Sequence, residues 1–189
     1  MTDLYDALRQ IVQLLDELQI PYVVMGGIAA RVLGIPRPTH DVDFTLAIER
    51  SALLQLFDGL ERIGFTIAES YRSGWVDRVA EMPLVKARFY LAGRGVDVDM
   101  FLCESTFQES LMSRRQRQIV EEIDLWMVTP EDLILLKLLA GRPRDWADIG
   151  DVLFMQGQLD ETYMRHWAKE LGVEAQLEKA LADARDSNR

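Results

Sequence analysis

Residues 22–45 read YVVMGGIAARVLGIPRPTHDVDFT, and the reading of this stretch decides the fold. A β-branched and aromatic run, Tyr22 to Met25, stops at Gly26 and Gly27; a short helical piece follows, and Pro36 and Pro38 lead into a second apolar run that carries Asp41 and Asp43. The order is strand, glycine turn, helix, strand. Successive side chains of a strand point to opposite faces, so Asp41 and Asp43 share one face while Val42 and Phe44 take the other. Asp is depleted in strands, and two on one face read either as solvated acids on an exposed surface or as ligands for a hard divalent cation.

A second stretch repeats the pattern. In residues 95–102, GVDVDMFL, Asp97 and Asp99 lie on one face and Val96, Val98, Met100 and Leu102 on the other. Two-metal phosphoryl-transfer centres use about three carboxylates to hold cations roughly 3.5–4 Å apart. The two strands supply four candidates, and alternation does not separate Asp97 from Asp99. Gly26 and Gly27 allow a tight turn with no side chain between the main chain and a ligand. Amides at the start of the following helix suit an anion, against the alternative of a plain turn. A dinucleotide fold is disfavoured because G-x-G-x-x-G is absent and residues 28–33 are too short for its crossover helix. A calcium loop is disfavoured because Thr45 and Leu46 follow Asp43.

Around this centre, Leu4, Leu8, Ile11, Val12, Leu15 and Leu18 fall at helical spacing, which predicts an amphipathic helix over 3–19 that ends before Pro21. Ser51 is expected to cap a helix reaching about Ile63 and stopped by Gly64. Residues 65–68 suit a short strand. Residues 69–83 have no period and read as a loop beside the site; its Trp75 reads as surface packing or as a platform for a base. Residues 84–91 and 96–102, joined by AGRG, read as a β-hairpin that sets an acidic strand beside Asp41 and Asp43. A polar helix with Arg114, Arg115 and Arg117 is expected over 106–118, and a strand over 123–128.

Thr129 and Pro130 mark a helix start. The helix that follows is apolar almost all round and therefore buried, so Lys137 must snorkel out, meet an acidic partner or meet a ligand phosphate. Asp145 and Asp148 serve as N-cap and first-turn acid of the next helix, or orient Lys137 or Arg144. Residues 159–171 and 173–185 read as helices forming a lid or scaffold, and the terminal SNR as a frayed end.

Composition narrows the class. The 189 residues, 49% hydrophobic and 28% charged, suit one compact globular unit. With no bilayer-length apolar run and no basic-then-apolar start, the expectation is a cytoplasmic protein without a membrane partner. Cys103 is the single cysteine, and with only His40 and His166 beside it zinc chemistry is disfavoured. A formal net charge of -10 argues against a broad grip on nucleic acid, although the Arg and Lys residues of the first half leave room for a local one.

Gly26 and Gly27, thirteen residues, Asp41-Val42-Asp43 and a later hydrophobic-flanked Asp together resemble the signature of the DNA polymerase beta-like nucleotidyltransferase superfamily. Within it the chain looks most like small bacterial enzymes of the abortive-infection, AbiEii toxin type. The likeness runs from about Tyr22 to about Leu153 and takes in VDMFLCESTF and TPEDLILLKLLAGRPRDWADI. One departure is Gly27, where many members carry Ser. The resemblance implies an α/β (α+β) fold: a mixed, partly antiparallel sheet flanked by helices, as a core over 1–128 with a C-terminal helical extension over 129–189. It implies two Mg²⁺ ions on Asp41, Asp43 and Asp99, with Asp97 as second choice, and an NTP whose phosphates meet Gly26, Gly27, Lys137 and, less directly, Arg144. The implied activity is transfer of a nucleoside monophosphate to an RNA or tRNA end, a protein hydroxyl or a small molecule, and a toxin with an antitoxin partner is among the implied roles. A module that binds nucleotide or partner without turnover is the competing expectation.

Overall fold

A computed structural model describes residues 2–91 and 94–187. In chain order the elements are α1 (Thr2–Glu17), β1 (Tyr22–Met25), α2 (Gly26–Leu33), β2 (Asp41–Leu46), α3 (Leu53–Arg62), β3 (Phe65–Ile67), α4 (Glu69–Arg72), β4 (Asp77–Val79), β5 (Met82–Leu91) and β6 (Arg94–Leu102). There follow α5 (Thr106–Arg114), β7 (Gln116–Val120), β8 (Ile123–Met127), α6 (Pro130–Ala140), α7 (Pro143–Met155), α8 (Glu161–Glu170) and α9 (Glu174–Ser187).

The eight strands form one mixed sheet in the order β3-β5-β6-β2-β1-β8-β7, with β4 also paired to β5. β2 runs parallel to β6 and β1 parallel to β8; the other pairs are antiparallel. β1 is buried along its whole length, as a nearly all-apolar strand with both faces covered must be. Val42, Phe44 and Leu46 of β2 are fully buried, so the pleat turns Asp41 and Asp43 to the opposite face, where α2 lies. α1 packs on β2 and β6, and its Leu14 seats on Gly59 of α3. α6 packs on α2, and α7 on α6. Thr129 caps α6 by accepting from the amide of Asp132, and Gly141, at φ 64°, ends it.

The sequence-based reading needs four local corrections. The helix expected over 106–118 ends at Arg114: Arg115 turns extended, and Gln116–Val120 pairs antiparallel with β8 through a turn at Glu121 and Glu122, both at positive φ. Pairing to β8, with Arg115 and Arg117 stacked on Trp126, outweighs the helical pattern. The loop expected over 69–83 contains α4 and β4; a tight turn at Ala80 and Glu81, again at positive φ without glycine, returns β4 onto β5. Ser51 lies in a 3-10 turn, Arg50–Ala52, and caps no helix; α3 begins at Leu53. Asp145 is not an N-cap: Pro143, with no amide to satisfy, opens α7, Arg142 caps it and Asp145 lies at the third helical position. The hairpin of β5 and β6 forms as expected, while Ala92 and Gly93 of its AGRG turn, and Asn188 and Arg189 of the terminal SNR, lie outside the described residues.

Candidate active site

Parallel pairing of β2 with β6 puts Asp43 opposite Asp99 and Asp41 opposite Asp97. The two Asp residues of each strand share a face, yet they do not share a fate. Asp41, Asp43 and Asp99 line one cavity of about 420 Å³, together with Gly26, Lys86 and Lys137. Asp97 lies one step further out, exposed, with Arg88 at 3.4 Å. Asp99 lines the cavity and Asp97 does not, a distinction that no alternation pattern encodes.

The glycine turn fits against the carboxylates with no room to spare. Gly26 sits at φ +63°, and a Cβ there would lie 1.8 Å from Asp43 Oδ2. A Cβ on Gly27 would lie 2.1 Å from Thr39 Oγ1 and 3.4 Å from Asp41 Oδ1. The Gly27 amide, at the start of α2, donates to Asp43 Oδ2 at 3.4 Å, and the buried Thr39 hydroxyl donates to Asp41 Oδ1 at 2.6 Å. Thr39 therefore fills the space that any side chain at position 27 would need. Its hydroxyl is a site group that the sequence reading did not single out.

Burial raises the Asp43 carboxyl from an ordinary 3.8 to about 7; the nearby charges of Asp41 and Asp99 add to the rise, and the Gly27 amide and Lys137 only partly oppose it. Such a carboxylate is under-compensated. Asp99 accepts from Lys86 Nζ with both oxygens, at 2.8 and 2.9 Å. Among the described residues no group of three His, Cys, Asp or Glu side chains closes around a point fit for a metal. The donor chemistry nevertheless suits a hard divalent ion: hard oxygen ligands, excess negative charge around Asp43, and a backbone cradle that a single methyl group would fill.

On the other side of Asp41 and Asp43 a smaller cavity of about 190 Å³ is lined by these two carboxylates and Asp145 together with four cations, Arg37, Lys137, Arg142 and Arg144. Lys137, 5% exposed, meets acidic partners: its Nζ lies 3.0 Å from Asp145 Oδ1 and 2.7 Å from Asp148 Oδ2. Arg142 grips Asp145 from the outside at 2.7 Å, and Arg37 grips Asp148 with two bonds at 2.5 and 2.6 Å. Burial tends to raise both carboxyls, but hydrogen bonds from Arg142 and Lys137 to Asp145, and from Arg37 and Lys137 to Asp148, prevail and hold them below the ordinary range. Asp145 and Asp148 thus orient Lys137, and neither orients Arg144, which donates to the Pro38 carbonyl at 2.9 Å. Trp75 is exposed and bonded to Asp77, outside the residues lining either cavity.

A mixed sheet flanked by helices, with three acids of two adjacent strands beneath a glycine turn, is the arrangement of a nucleotidyltransferase fold. The chain belongs to the DUF6036 family, described as nucleotidyltransferases of unknown function, whose model matches residues 1–183. No curated protein sequence matches it significantly. Among solved structures it is similar to an antigenic nucleotidyltransferase-like protein from Paracoccidioides brasiliensis, at 20% identity and TM-score 0.55, covering 96% of this chain and 93% of that one. It is similar also to the lincosamide antibiotic adenylyltransferase LnuA, solved with lincomycin bound, at 16% identity and TM-score 0.55 over 80% of this chain and 97% of that one. A third likeness is to ANT(2'')-Ia in complex with adenylyl-2''-tobramycin, at 16% identity and TM-score 0.52 over the full length of both. At these identities the likeness is one of fold.

Proposed function

We propose that this protein is a magnesium-dependent nucleotidyltransferase that moves a nucleoside monophosphate from an NTP to an acceptor hydroxyl. The observation that carries the reading is the row of Asp43 and Asp99 across β2 and β6, with Asp41 beside them, under the Gly26–Gly27 turn. Asp41, Asp43 and Asp99 would hold the two ions. Bound magnesium would neutralise phosphate charge and make the acceptor hydroxyl easier to deprotonate. Gly26 and Gly27 leave room for the phosphates beside the start of α2. Arg142, Arg144 and Lys137, which line the smaller cavity, would offset the charge of the triphosphate. The acceptor oxygen attacks the α-phosphorus in line, the bond to the β-phosphate oxygen breaks, and pyrophosphate leaves. The acceptor proton would pass to a neighbouring carboxylate of the acidic set and on to solvent.

For the acceptor, the AbiEii-type resemblance supports an RNA end or a protein hydroxyl, with an antitoxin partner restraining the enzyme. A small-molecule acceptor is the second reading. It is favoured by the cavity of about 420 Å³, of a size suited to a drug-sized ligand, and by the fold shared with LnuA and ANT(2'')-Ia. Pyrophosphate release from each of the four NTPs, followed with total RNA, with soluble protein and with an extract of small molecules, tests the reading and sorts the acceptors. Release stimulated by one fraction names the acceptor class. Tight Mg²⁺-dependent nucleotide binding with no release in any fraction would instead favour a non-catalytic binding module.

A further inference from the structure

Lys86 stands on β5, in register with Asp99 of β6, which is itself in register with Asp43 of β2. The three side chains form one row across three adjacent strands, and all three line the same cavity. The ammonium of Lys86 spans both oxygens of Asp99, at 2.8 and 2.9 Å. Asp77 of β4, near Lys86, is already engaged: its carboxylate accepts from the Tyr71 hydroxyl at 2.6 Å and the Trp75 indole at 3.0 Å. Lys86 therefore settles on Asp99. Its side chain is 46% exposed against 24% for Asp99, so solvent is open to it on one side.

Resting on the nucleotidyltransferase reading, we propose that Lys86 is the resident cation of the Asp99 position: it occupies the third carboxylate in the absence of metal, and the second divalent ion binds only by displacing it. Asp41 and Asp43, which face no such lysine bridge, take the first ion directly. An ammonium is a compact point charge on a flexible stem, easily exchanged for a doubly charged ion once a polyanionic substrate offers the lysine another partner. Lys86 is thus a positioning residue that holds the Asp99 side chain toward β5 while separating the two metal-binding events.

The test counts bound Mn²⁺ by electron paramagnetic resonance on the full chain without nucleotide, for wild type, Lys86→Met and Lys86→Arg. In the wild type one ion binds and a second follows at least about tenfold more weakly, as expected when a unit positive charge must be moved from within about 4 Å of the incoming ion. Lys86→Met should strengthen the second ion by about tenfold and leave the first unchanged, because the competing charge is gone while the carboxylates remain. Lys86→Arg keeps the charge and should not strengthen the second ion, and an unchanged circular dichroism spectrum of Lys86→Met shows that its change is not a loss of fold. Two equal ions in the wild type, or no change in Lys86→Met, would overturn the role of Lys86 and leave the nucleotidyltransferase reading standing. No bound Mn²⁺ in any of the three would overturn both together.

Discussion

Replacing Asp43 by Asn removes a charge that the folded protein holds against opposition. The displacement of its carboxyl from 3.8 to about 7 corresponds to roughly 4 kcal/mol, at about 1.4 kcal/mol per pH unit. The sign follows from the direction. Below about pH 4 the group is protonated folded or unfolded and costs nothing; as the pH rises toward 7 the unfolded chain ionises first, and stability falls. Above 7 the full penalty stands. Asn keeps the shape without the charge, but its amide needs partners of its own beside Gly27, which returns part of the gain. In metal-free buffer at pH 8 the variant should therefore be more stable by roughly 2 kcal/mol, a rise in Tm of roughly 4–8 °C for a chain of this size. At pH 4 the charge penalty is nearly gone while the cost of the amide remains, so the variant should melt below the wild type. Added Mg²⁺ should raise the Tm of the wild type and not of the variant, since only the wild type presents the paired carboxylates. Thermal melts across pH 4–8, with and without Mg²⁺, decide the matter. A variant that melts below the wild type at pH 8 without metal, or a gap that does not change with pH, would refute the reasoning.

Lys137→Met leaves Asp145 and Asp148 buried with one cation fewer, and loss of a buried ionic partner costs about 3–5 kcal/mol; guanidinium unfolding should show it, and a loss below about 1 kcal/mol would make the network ornamental. Gly26→Ala forces a β-carbon onto Asp43 at φ +63°, so nucleotide-dependent activity should vanish and stability fall by at least about 1–3 kcal/mol in thermal melts. Gly27→Ala collides with Thr39 rather than with backbone, and Thr39→Gly in the same chain should recover part of the lost Tm. Tyr163→Phe removes the hydroxyl that donates at 2.6 Å to the buried Asp132, at a cost of about 1–3 kcal/mol in the same melts.

The parts of this fold that announce themselves in the sequence are those where local chemistry and tertiary structure agree. β1 is a short all-apolar run, β2 and the β5–β6 hairpin show the two-residue period, and α6 carries Thr129, Pro130 and Gly141 at its ends. β4 and β7 are silent for an identifiable reason: their turns use Ala80–Glu81 and Glu121–Glu122 at positive φ, where Gly or Asn would have flagged them. The acidic residues of the site were legible because Asp is costly in a strand. Their partners were not. Arg37 meets Asp148 across a separation of 111 residues, and nothing local to either one specifies the pair. Lys86 was hidden likewise, since its position opposite Asp99 depends on the hairpin register. Thr39 stands two residues before Asp41, a weak local signal, and only the closeness of Gly27 gives its hydroxyl a purpose.

The central claim is that Asp41, Asp43 and Asp99 together move a nucleotide, and α-phosphate label tests it most directly. Each of the four labelled ribonucleoside triphosphates, with Mg²⁺, is offered to cellular RNA, soluble protein and small-molecule extract by the wild type and by the Asp41→Asn, Asp43→Asn double variant. The account predicts label in one acceptor fraction with the wild type and none with the variant. Equal labelling by both proteins would contradict it.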